Sequence, residues 1–191
     1  GQSLCGGELM DSIIYVISGA ADTAFAMGLP TGVNAIFSGD SLIITGNPST
    51  MGMTNYSVFG SGGFCPDATL NGSVSVFDPQ IALVSPAVTD TQTVCVNSGI
   101  VQIVYVFSGG ATGANVVNLP GGVIYSVQND SLFITGTATT LGSYAFFVNT
   151  TGTSCNADTV FGLINVQSSA GLSLVSAIGT NVQTVNQNSA I

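Results

Sequence analysis

Residues 40–46 read Asp-Ser-Leu-Ile-Ile-Thr-Gly, and residues 130–136 read Asp-Ser-Leu-Phe-Ile-Thr-Gly. At the same offset of 90 residues, 26 of the 72 positions from Cys5 to Val76 are identical, which is far above chance and indicates two copies of one fold. The matched landmarks include these pairs: Cys5 and Cys95, Tyr15 and Tyr105, Gly19 and Gly109, Pro30 and Pro120, and Cys65 and Cys155.

Each repeat has the pattern of an all-β domain. Short segments rich in Val, Ile, Tyr, Phe and Thr recur about every 8 to 14 residues, with Gly, Pro, Asn and Asp between them. Between Leu70 and Val76, apolar and polar residues alternate, as they do in a strand with one buried face. Leu-Pro-x-Gly-Val, at residues 29–33 and 119–123, predicts a turn. We expect immunoglobulin-like β-sandwiches.

The repeat also predicts the domain organisation. The expected units are a first sandwich at residues 1–79, a second at 80–168 and a C-terminal extension at 169–191. Leu174-Val175-Ser176 matches Leu83-Val84-Ser85 at an offset of 91, so the extension resembles the first strand of a further repeat. Gln2 aligns with Gln92, and the first repeat therefore lacks the counterpart of residues 81–91.

The composition excludes several classes of function. The chain has no Lys, Arg or His and a net charge of -9, which excludes the usual electrostatic binding of nucleic acid and disfavours anionic membrane surfaces. No apolar stretch is long enough to span a membrane. Without a basic side chain there is no general base of the common kind and no partner to activate a cysteine, so we expect no enzyme activity, no metal and no cofactor.

The four cysteines predict disulfides and an oxidising, extracellular compartment. Cys5 and Cys65 have the same separation as Cys95 and Cys155, 60 residues. We expect one bridge within each repeat, Cys5 with Cys65 and Cys95 with Cys155. A loop of that length gives roughly 4 kcal/mol of stabilisation on the chain-entropy model.

The turns and strands resemble a known family. Leu-Pro-x-Gly-Val, Ser-Leu-x-Ile-Thr-Gly and Leu-Gly-x-Tyr, followed by Cys and an alternating strand, are similar to the Ig-like tandem repeats of Bacteroidetes-type extracellular surface and adhesin proteins. The best-matching stretch combines residues 92–97 with residues 108–114. The extension departs from the pattern at Asn186, where the repeats have Cys. The resemblance implies a sandwich fold and a location at the cell surface.

Glycosylation is predicted at two kinds of site. Asn-x-Ser/Thr and Asp-Ser/Thr followed by an apolar residue are acceptor patterns, the second similar to the O-glycosylation motif of Bacteroidetes. The candidate residues are Asn55, Asn71, Asn129 and Asn149, and Ser12, Thr23, Ser41, Ser131 and Thr159.

Two functions fit these features. The first is a filament subunit that polymerises head to tail, with residues 172–181 as a donor segment whose Leu172, Leu174 and Ile178 point to one face and fill the first repeat of the next copy. The partners would then be other copies of the chain. The second is a spacer or adhesion module cut from a long tandem array.

Overall fold

The structure is a computed structural model that describes residues 1–62, 66–176 and 181–182. All regular structure in these ranges is β-strand, which confirms the all-β prediction. The strands of the first repeat are β1 (Gln2–Cys5), β2 (Ile13–Val16), β3 (Thr23–Met27), β4 (Val33–Ser38), β5 (Ser41–Gly46), β6 (Gly52–Ser61) and β7 (Ala68–Phe77). Those of the second are β8 (Gln80–Leu83), β9 (Thr91–Cys95), β10 (Ser98–Gly99), β11 (Ile103–Ser108), β12 (Gly113–Val117), β13 (Val123–Gln128), β14 (Ser131–Ala138), β15 (Gly142–Thr151) and β16 (Thr159–Gln167).

Each repeat forms a pair of sheets. The strand orders in the first repeat are β1-β7-β6-β3 and β2-β5-β4. In the second repeat, β9-β16-β15-β12 corresponds to the first of these sheets, and β8-β11-β14-β13 is the second sheet extended by one strand. The short β10 also pairs with β14. β1 runs parallel to β7 and β9 runs parallel to β16, while the other pairs are antiparallel.

The Leu-Pro-x-Gly-Val segments form equivalent turns. The N–H of Val33 donates to the carbonyl of Pro30 at 3.1 Å, and the N–H of Val123 donates to the carbonyl of Pro120 at 3.1 Å. Gly32, inside the first turn, has a φ of +87°. A Cβ at Gly32 would run into the carbonyl of Asn47, so both its backbone conformation and its surroundings require glycine.

Each repeat has its own apolar core. The heptapeptides at residues 40–46 and 130–136 supply the centre of each core, because alternate residues of a strand point to the same face. Leu42 and Ile44 are 1% and 0% exposed, and their equivalents Leu132 and Ile134 are both 0% exposed. The rest of the buried apolar residues fall into two clusters: Met10, Ala24, Val33, Tyr56, Val58, Val74 and Val76 in one, and Ile81, Ile103, Tyr105, Phe107, Ala111, Ala114, Val116, Val123, Ala138, Phe146, Val148, Ile164 and Val166 in the other.

Candidate strand-docking groove and inter-repeat junction

The second repeat has an edge strand that the first repeat lacks among its described residues. β8 pairs antiparallel with β11, with Leu83 opposite Tyr105 and Ile81 opposite Phe107. Ile81 is buried in the core, and its N–H donates to Asp158 Oδ2 at 2.9 Å. Two core-facing side chains, a backbone ladder and one carboxylate therefore hold this strand.

β2 is the counterpart of β11, and in the described part of the chain it has a strand on one side only. It pairs with β5, and no described strand lies along its other edge. Side-chain exposure reflects the difference. Ile13 is half-buried whereas its equivalent Ile103 is 0% exposed, and Val16 is 70% exposed whereas its equivalent Val106 is half-buried. The open edge thus uncovers apolar surface.

A cavity of ≈ 290 Å³ lies beside this edge. Residues 15–18 form part of its wall, and the equivalent residues of the second repeat, 105–108, are those that pair with β8. Ala24, Val58 and Leu70 contribute further apolar wall. We call this cavity the docking groove. It occupies in the first repeat the place that β8 fills in the second.

Each repeat has a buried phenol, Tyr56 in the first and Tyr105 in the second, and Tyr105 is the equivalent of Tyr15. Tyr15, on the groove wall, has its hydroxyl 3.0 Å from that of Tyr56. Burial, reinforced by this hydrogen bond, raises the pKa of Tyr56 above the ordinary tyrosine value. Burial and then the charge of Asp90 raise the pKa of Tyr105, whose hydroxyl has no hydrogen-bond partner within the described residues. The phenols of Tyr56 and Tyr105 are therefore uncharged at neutral pH.

The predicted donor segment is only partly described. Residues 168–176 form no strand. Leu172 is fully exposed, at 106%, and Leu174 is 51% exposed. Ile178 lies outside the described residues. The prediction that Leu172, Leu174 and Ile178 form a polymerisation strand is therefore not tested by the chain alone.

The disulfide joins the two repeats. Cys5 is bonded to Cys155 across 150 residues, with their Cα atoms 5.4 Å apart. The predicted pairing within each repeat is therefore wrong, because Cys155 is bonded to Cys5 and the exposed Cys95 is a free thiol. Cys65 lies outside the described residues.

Strand geometry explains why the second repeat has no internal bridge. Cys95 lies opposite Gln167, the last residue of β16, whereas Cys155 precedes Thr159, the first residue of that strand. At about 3.3 Å per residue, the ends of a strand of this length are roughly 26 Å apart. A disulfide requires Cα atoms within about 7 Å of each other. The two cysteines of the repeat are thus at opposite ends of the sandwich.

We call the contact between the repeats around this disulfide the junction. Cys5 lies opposite Phe77 in the parallel pairing of β1 with β7, and Cys155 Sγ lies 3.8 Å from the carbonyl oxygen of Phe77. The N–H of Asp78 donates to the carbonyl of Gly109 at 3.0 Å. Gly109 has a φ of +68°, and a Cβ there would run into the carbonyl of Asp78. The junction therefore requires glycine at this position and carries a covalent bridge.

Sequence reasoning missed the residues of the junction. The signal was present, because the separation of Cys5 and Cys155 equals one repeat plus the spacing within a repeat. A spacing argument nevertheless favours the pairing within each repeat, because the 60-residue separation occurs twice in the chain and the 150-residue separation only once. The glycine contact at Gly109 also has a sequence signature, the Ser-Gly pair that recurs at Ser18-Gly19 and Ser108-Gly109.

The predicted glycosylation residues are accessible to different degrees. The exposed ones are Ser12, Thr23, Thr159, Asn55, Asn71 and Asn129, and the half-buried ones are Ser41, Ser131 and Asn149. The Asn71 side-chain carbonyl accepts a hydrogen bond from the Ser57 hydroxyl at 2.8 Å. Modification of any of them stays a prediction.

Other kinds of site were sought in the described ranges. No group of three or more His, Cys, Asp or Glu side chains there could hold a metal ion. The described residues also include no helix of the length and apolarity that crossing a membrane requires.

Comparison with known proteins bears on the fold. No family model matches the chain, and no curated protein matches it. A structure of Dpr11 IG1 bound to DIP-gamma is 8% identical over 86% of this chain and 93% of that one, with a TM-score of 0.54. The D00-D0 domain of intimin is 9% identical over 84% and 94%, with a TM-score of 0.51. Protocadherin gammaB7 EC3-6 is 11% identical over 88% of this chain but 45% of that one, with a TM-score of 0.47. The immunoglobulin-like sandwich prediction is confirmed.

Proposed function

We propose that this chain is a structural subunit of an extracellular filament, and that copies join head to tail by strand donation. The donor segment of one copy docks beside β2 of the next copy, in the docking groove. The observation that carries this proposal is the equivalence of the groove to the place of β8. Its wall at residues 15–18 corresponds to residues 105–108, which β8 covers in the second repeat.

The repeat fixes the register of docking. Leu172 aligns with Ile81 and Leu174 with Leu83. Because Ile81 lies opposite Phe107 and Leu83 opposite Tyr105, the donor places Leu172 opposite Ile17 and Leu174 opposite Tyr15. These wall positions belong to the groove. Antiparallel addition of this kind supplies the open edge of β2 with a partner ladder.

The energetics favour association. Leu172 is fully exposed and Leu174 half-exposed in the single chain, and burying each contributes roughly 1.5–3 kcal/mol. The donor segment and the groove are different surfaces, so each docked copy still carries one unused donor and one unused groove. Such a heterologous contact propagates into an open fibre.

The connection to the donor is long enough. Within the chain, two residues, Asp78 and Pro79, join β7 to β8. Gly171 is the equivalent of Gln80, the first residue of β8. Three residues, 168–170, join β16 to Gly171, one more than the link between β7 and β8. The hydrogen bond from the Ile81 N–H to Asp158 has no counterpart in the docked strand, because the first repeat has Ala68 at the position of Asp158. The docked strand therefore has one hydrogen bond fewer than β8.

Extracellular location is part of the proposal. The Cys5–Cys155 bridge is typical of an oxidising compartment. The sequence resemblance to Ig-like repeats of Bacteroidetes-type surface proteins supports the same location. In the alternative function, a spacer or adhesion module of a tandem array, a strand from a neighbouring repeat of the same chain would fill the groove.

The test compares full-length variants by negative-stain electron microscopy. Leu172→Asp combined with Leu174→Asp places charges where the groove is apolar, and we expect this double variant to stay monomeric while the wild type forms fibres. Val175→Asp is the matched control, because Val175 is 97% exposed and aligns with Val84, which is 56% exposed in the second repeat. This control should form fibres.

A peptide of residues 168–182 completes the test. The double variant keeps an open groove and lacks a working donor, so the wild-type peptide should bind it in titration calorimetry, and the peptide with both Asp substitutions should not. Fibres from the double variant would refute donation by this segment. Peptide binding without wild-type fibres would favour the tandem-array alternative.

A further inference from the structure

The first repeat also has a cavity on the outer face of the sheet β1-β7-β6-β3. Met27, Ser57 and Asn71 lie opposite one another across β3, β6 and β7. They line this cavity together with Asn55 and Phe59, which lie on either side of Ser57 along β6, and its volume is ≈ 510 Å³. We call this cavity the ring pocket. Its volume is within the range of about 300–1,000 Å³ that small-molecule sites have.

The ring pocket and the docking groove lie on opposite faces of the same sheet. Val58 is buried and lines the docking groove. Its neighbours along β6, Ser57 and Phe59, point the other way, because successive side chains of a strand alternate between the two faces of the sheet. A donor segment in the docking groove therefore leaves the ring pocket uncovered.

In the second repeat, two phenylalanine rings fill the equivalent place. Phe147 and Phe161 lie opposite each other on β15 and β16, and their ring centroids are 6.4 Å apart. The first repeat has Ser57 and Asn71 at these two positions. The ring pocket therefore exists because two smaller polar side chains stand where the second repeat has aromatic rings, and the space gained is of ring size.

The lining combines hydrogen-bonding groups with an aromatic wall. The Ser57 hydroxyl donates to Asn71 Oδ1 at 2.8 Å, which leaves Asn71 Nδ2 as a donor and the Ser57 oxygen as an acceptor. Asn55 adds a second primary amide. Phe59 supplies the wall, and its ring is stacked on that of Phe25, with centroids 5.1 Å apart. No charged side chain is among the described lining residues, so the site is polar and neutral.

We infer that the ring pocket binds a neutral pyranose, such as a hexose or N-acetylhexosamine unit of a polysaccharide. A pyranose has an apolar C–H face, which the negative face of an aromatic ring attracts, and hydroxyl groups around its edge. Phe59 stacks on the C–H face, and the hydroxyl of Ser57 and the amides of Asn55 and Asn71 form hydrogen bonds with the edge.

Other occupants fit the pocket less well. The net charge of -9 and the lack of Lys and Arg disfavour a sugar that carries a carboxylate or a sulfate. A phenylalanine side chain from a second copy has the right size. It would leave the hydroxyl of Ser57 and the amides of Asn55 and Asn71 without partners, which costs free energy.

The inference does not depend on filament assembly, because the ring pocket is contained within one repeat. In the proposed filament, however, each copy presents one such pocket. Several pockets along a fibre then engage one polysaccharide together, so that weak binding at each site adds up to firm attachment.

Saturation-transfer NMR with the full-length protein tests the inference. Asn55 and Asn71 are also predicted glycosylation residues, and a glycan attached there would occupy the pocket, so the protein is produced without glycans and its mass is verified. The neutral probes are the methyl pyranosides of glucose, galactose, mannose and N-acetylglucosamine, and methyl glucuronide is the anionic control. At least one neutral probe should receive saturation, mainly at the C–H protons of one ring face, and the glucuronide should not.

Two variants locate the binding. Ser57→Phe combined with Asn71→Phe, the filled-pocket variant, installs the aromatic pair that the second repeat accommodates at the equivalent positions, and it should abolish saturation transfer. Phe59→Leu keeps an apolar wall but removes the aromatic face, and it should weaken the affinity by a factor of about three to ten. Phe161→Leu is the matched control, because Phe161 is 73% exposed in the second repeat, and it should bind as the wild type does.

Each contrary result overturns the inference. No transfer to any neutral probe would do so, and so would transfer that persists in a filled-pocket variant whose ¹⁵N–¹H spectrum shows a folded first repeat. If that variant does not fold, an unchanged affinity of Phe59→Leu decides against the inference. Lateral clustering of fibres that depends on the open pocket, without sugar binding, would assign the pocket to a second copy instead. Failure of the wild type to form fibres bears on the proposed assembly alone.

Discussion

The hydroxyl oxygens of Tyr15 and Tyr56 lie 3.0 Å apart beside the docking groove. The second repeat has Tyr105 and Phe146 at the equivalent positions, both 0% exposed. The hydroxyl of Tyr105 finds no hydrogen-bond partner within the described residues. Tyr15 of the first repeat thus has a hydrogen-bond partner, whereas its equivalent Tyr105 is buried without one among the described residues.

Removing each hydroxyl should have opposite effects. Tyr105→Phe should leave the free energy of unfolding of the second repeat unchanged or raise it by about 1 kcal/mol, because it deletes an unsatisfied buried group. Tyr15→Phe should lower that of the first repeat by about 1 kcal/mol, because Tyr56 loses its partner. Urea unfolding followed by residue-resolved NMR, in the Leu172→Asp/Leu174→Asp background, measures each repeat separately. A loss of stability from Tyr105→Phe would contradict the conclusion that the Tyr105 hydroxyl is buried without a hydrogen-bond partner.

The same phenols predict a loss of stability in alkali. The folded-state pKa values of Tyr56 and Tyr105 are raised above the ordinary value of 10.0, mainly by burial. Their contribution is therefore fully present below pH 10.0. It is lost progressively as the pH rises above that value, because the unfolded chain releases these protons first. Urea midpoints between pH 8 and 11 measure the slope. The combined Tyr56→Phe and Tyr105→Phe substitutions should make it shallower, and an unchanged slope would contradict the assignment.

Gly109 and Gly19 form a matched pair for testing the junction. Gly109→Ala should loosen the junction, because its Cβ would run into the carbonyl of Asp78. Gly19 has nearly the same backbone conformation as Gly109, with a φ of +72° against +68°, yet a Cβ at Gly19 would meet nothing within 4 Å. Both substitutions share the backbone strain of about 1–2 kcal/mol.

The readouts of the two glycine variants should differ. Gly109→Ala should slow formation of the Cys5–Cys155 bridge during oxidative refolding, and Gly19→Ala should not. At the junction between copies in the proposed filament, Gly19 would take the place that Gly109 has within the chain, so Gly19→Ala should slow fibre growth measured by light scattering. Equal bridge formation in both variants would mean that the glycine contact does not control the junction.

Ala68→Asp should strengthen strand docking. It restores the carboxylate that, as Asp158, accepts the Ile81 N–H in the second repeat. A hydrogen bond to a charged group contributes about 1.5–3 kcal/mol, so the affinity for the 168–182 peptide should rise about tenfold or more. Calorimetry in the double-variant background measures it, with Ala68→Asn as the uncharged control. Unchanged affinity would indicate that the donor N–H does not reach residue 68.

The sequence by itself determined the fold class and the repeat. Alternating apolar residues and the Leu-Pro-x-Gly-Val turns depend on local backbone geometry, which neighbouring residues determine. The heptapeptides at 40–46 and 130–136 accordingly place Leu and Ile in both cores.

Only the tertiary structure decided the disulfide. Spacing favours Cys5–Cys65 over Cys5–Cys155, because the 60-residue separation recurs at Cys95 and Cys155 and the 150-residue separation does not recur. The decision came from the parallel pairing of β1 with β7, which carries Cys5 to the end of the sandwich beside the second repeat. Cys155 meets it there, while Cys95 is left at the far end of β16. Bond formation requires proximity in space, and strand direction sets that proximity across 150 residues.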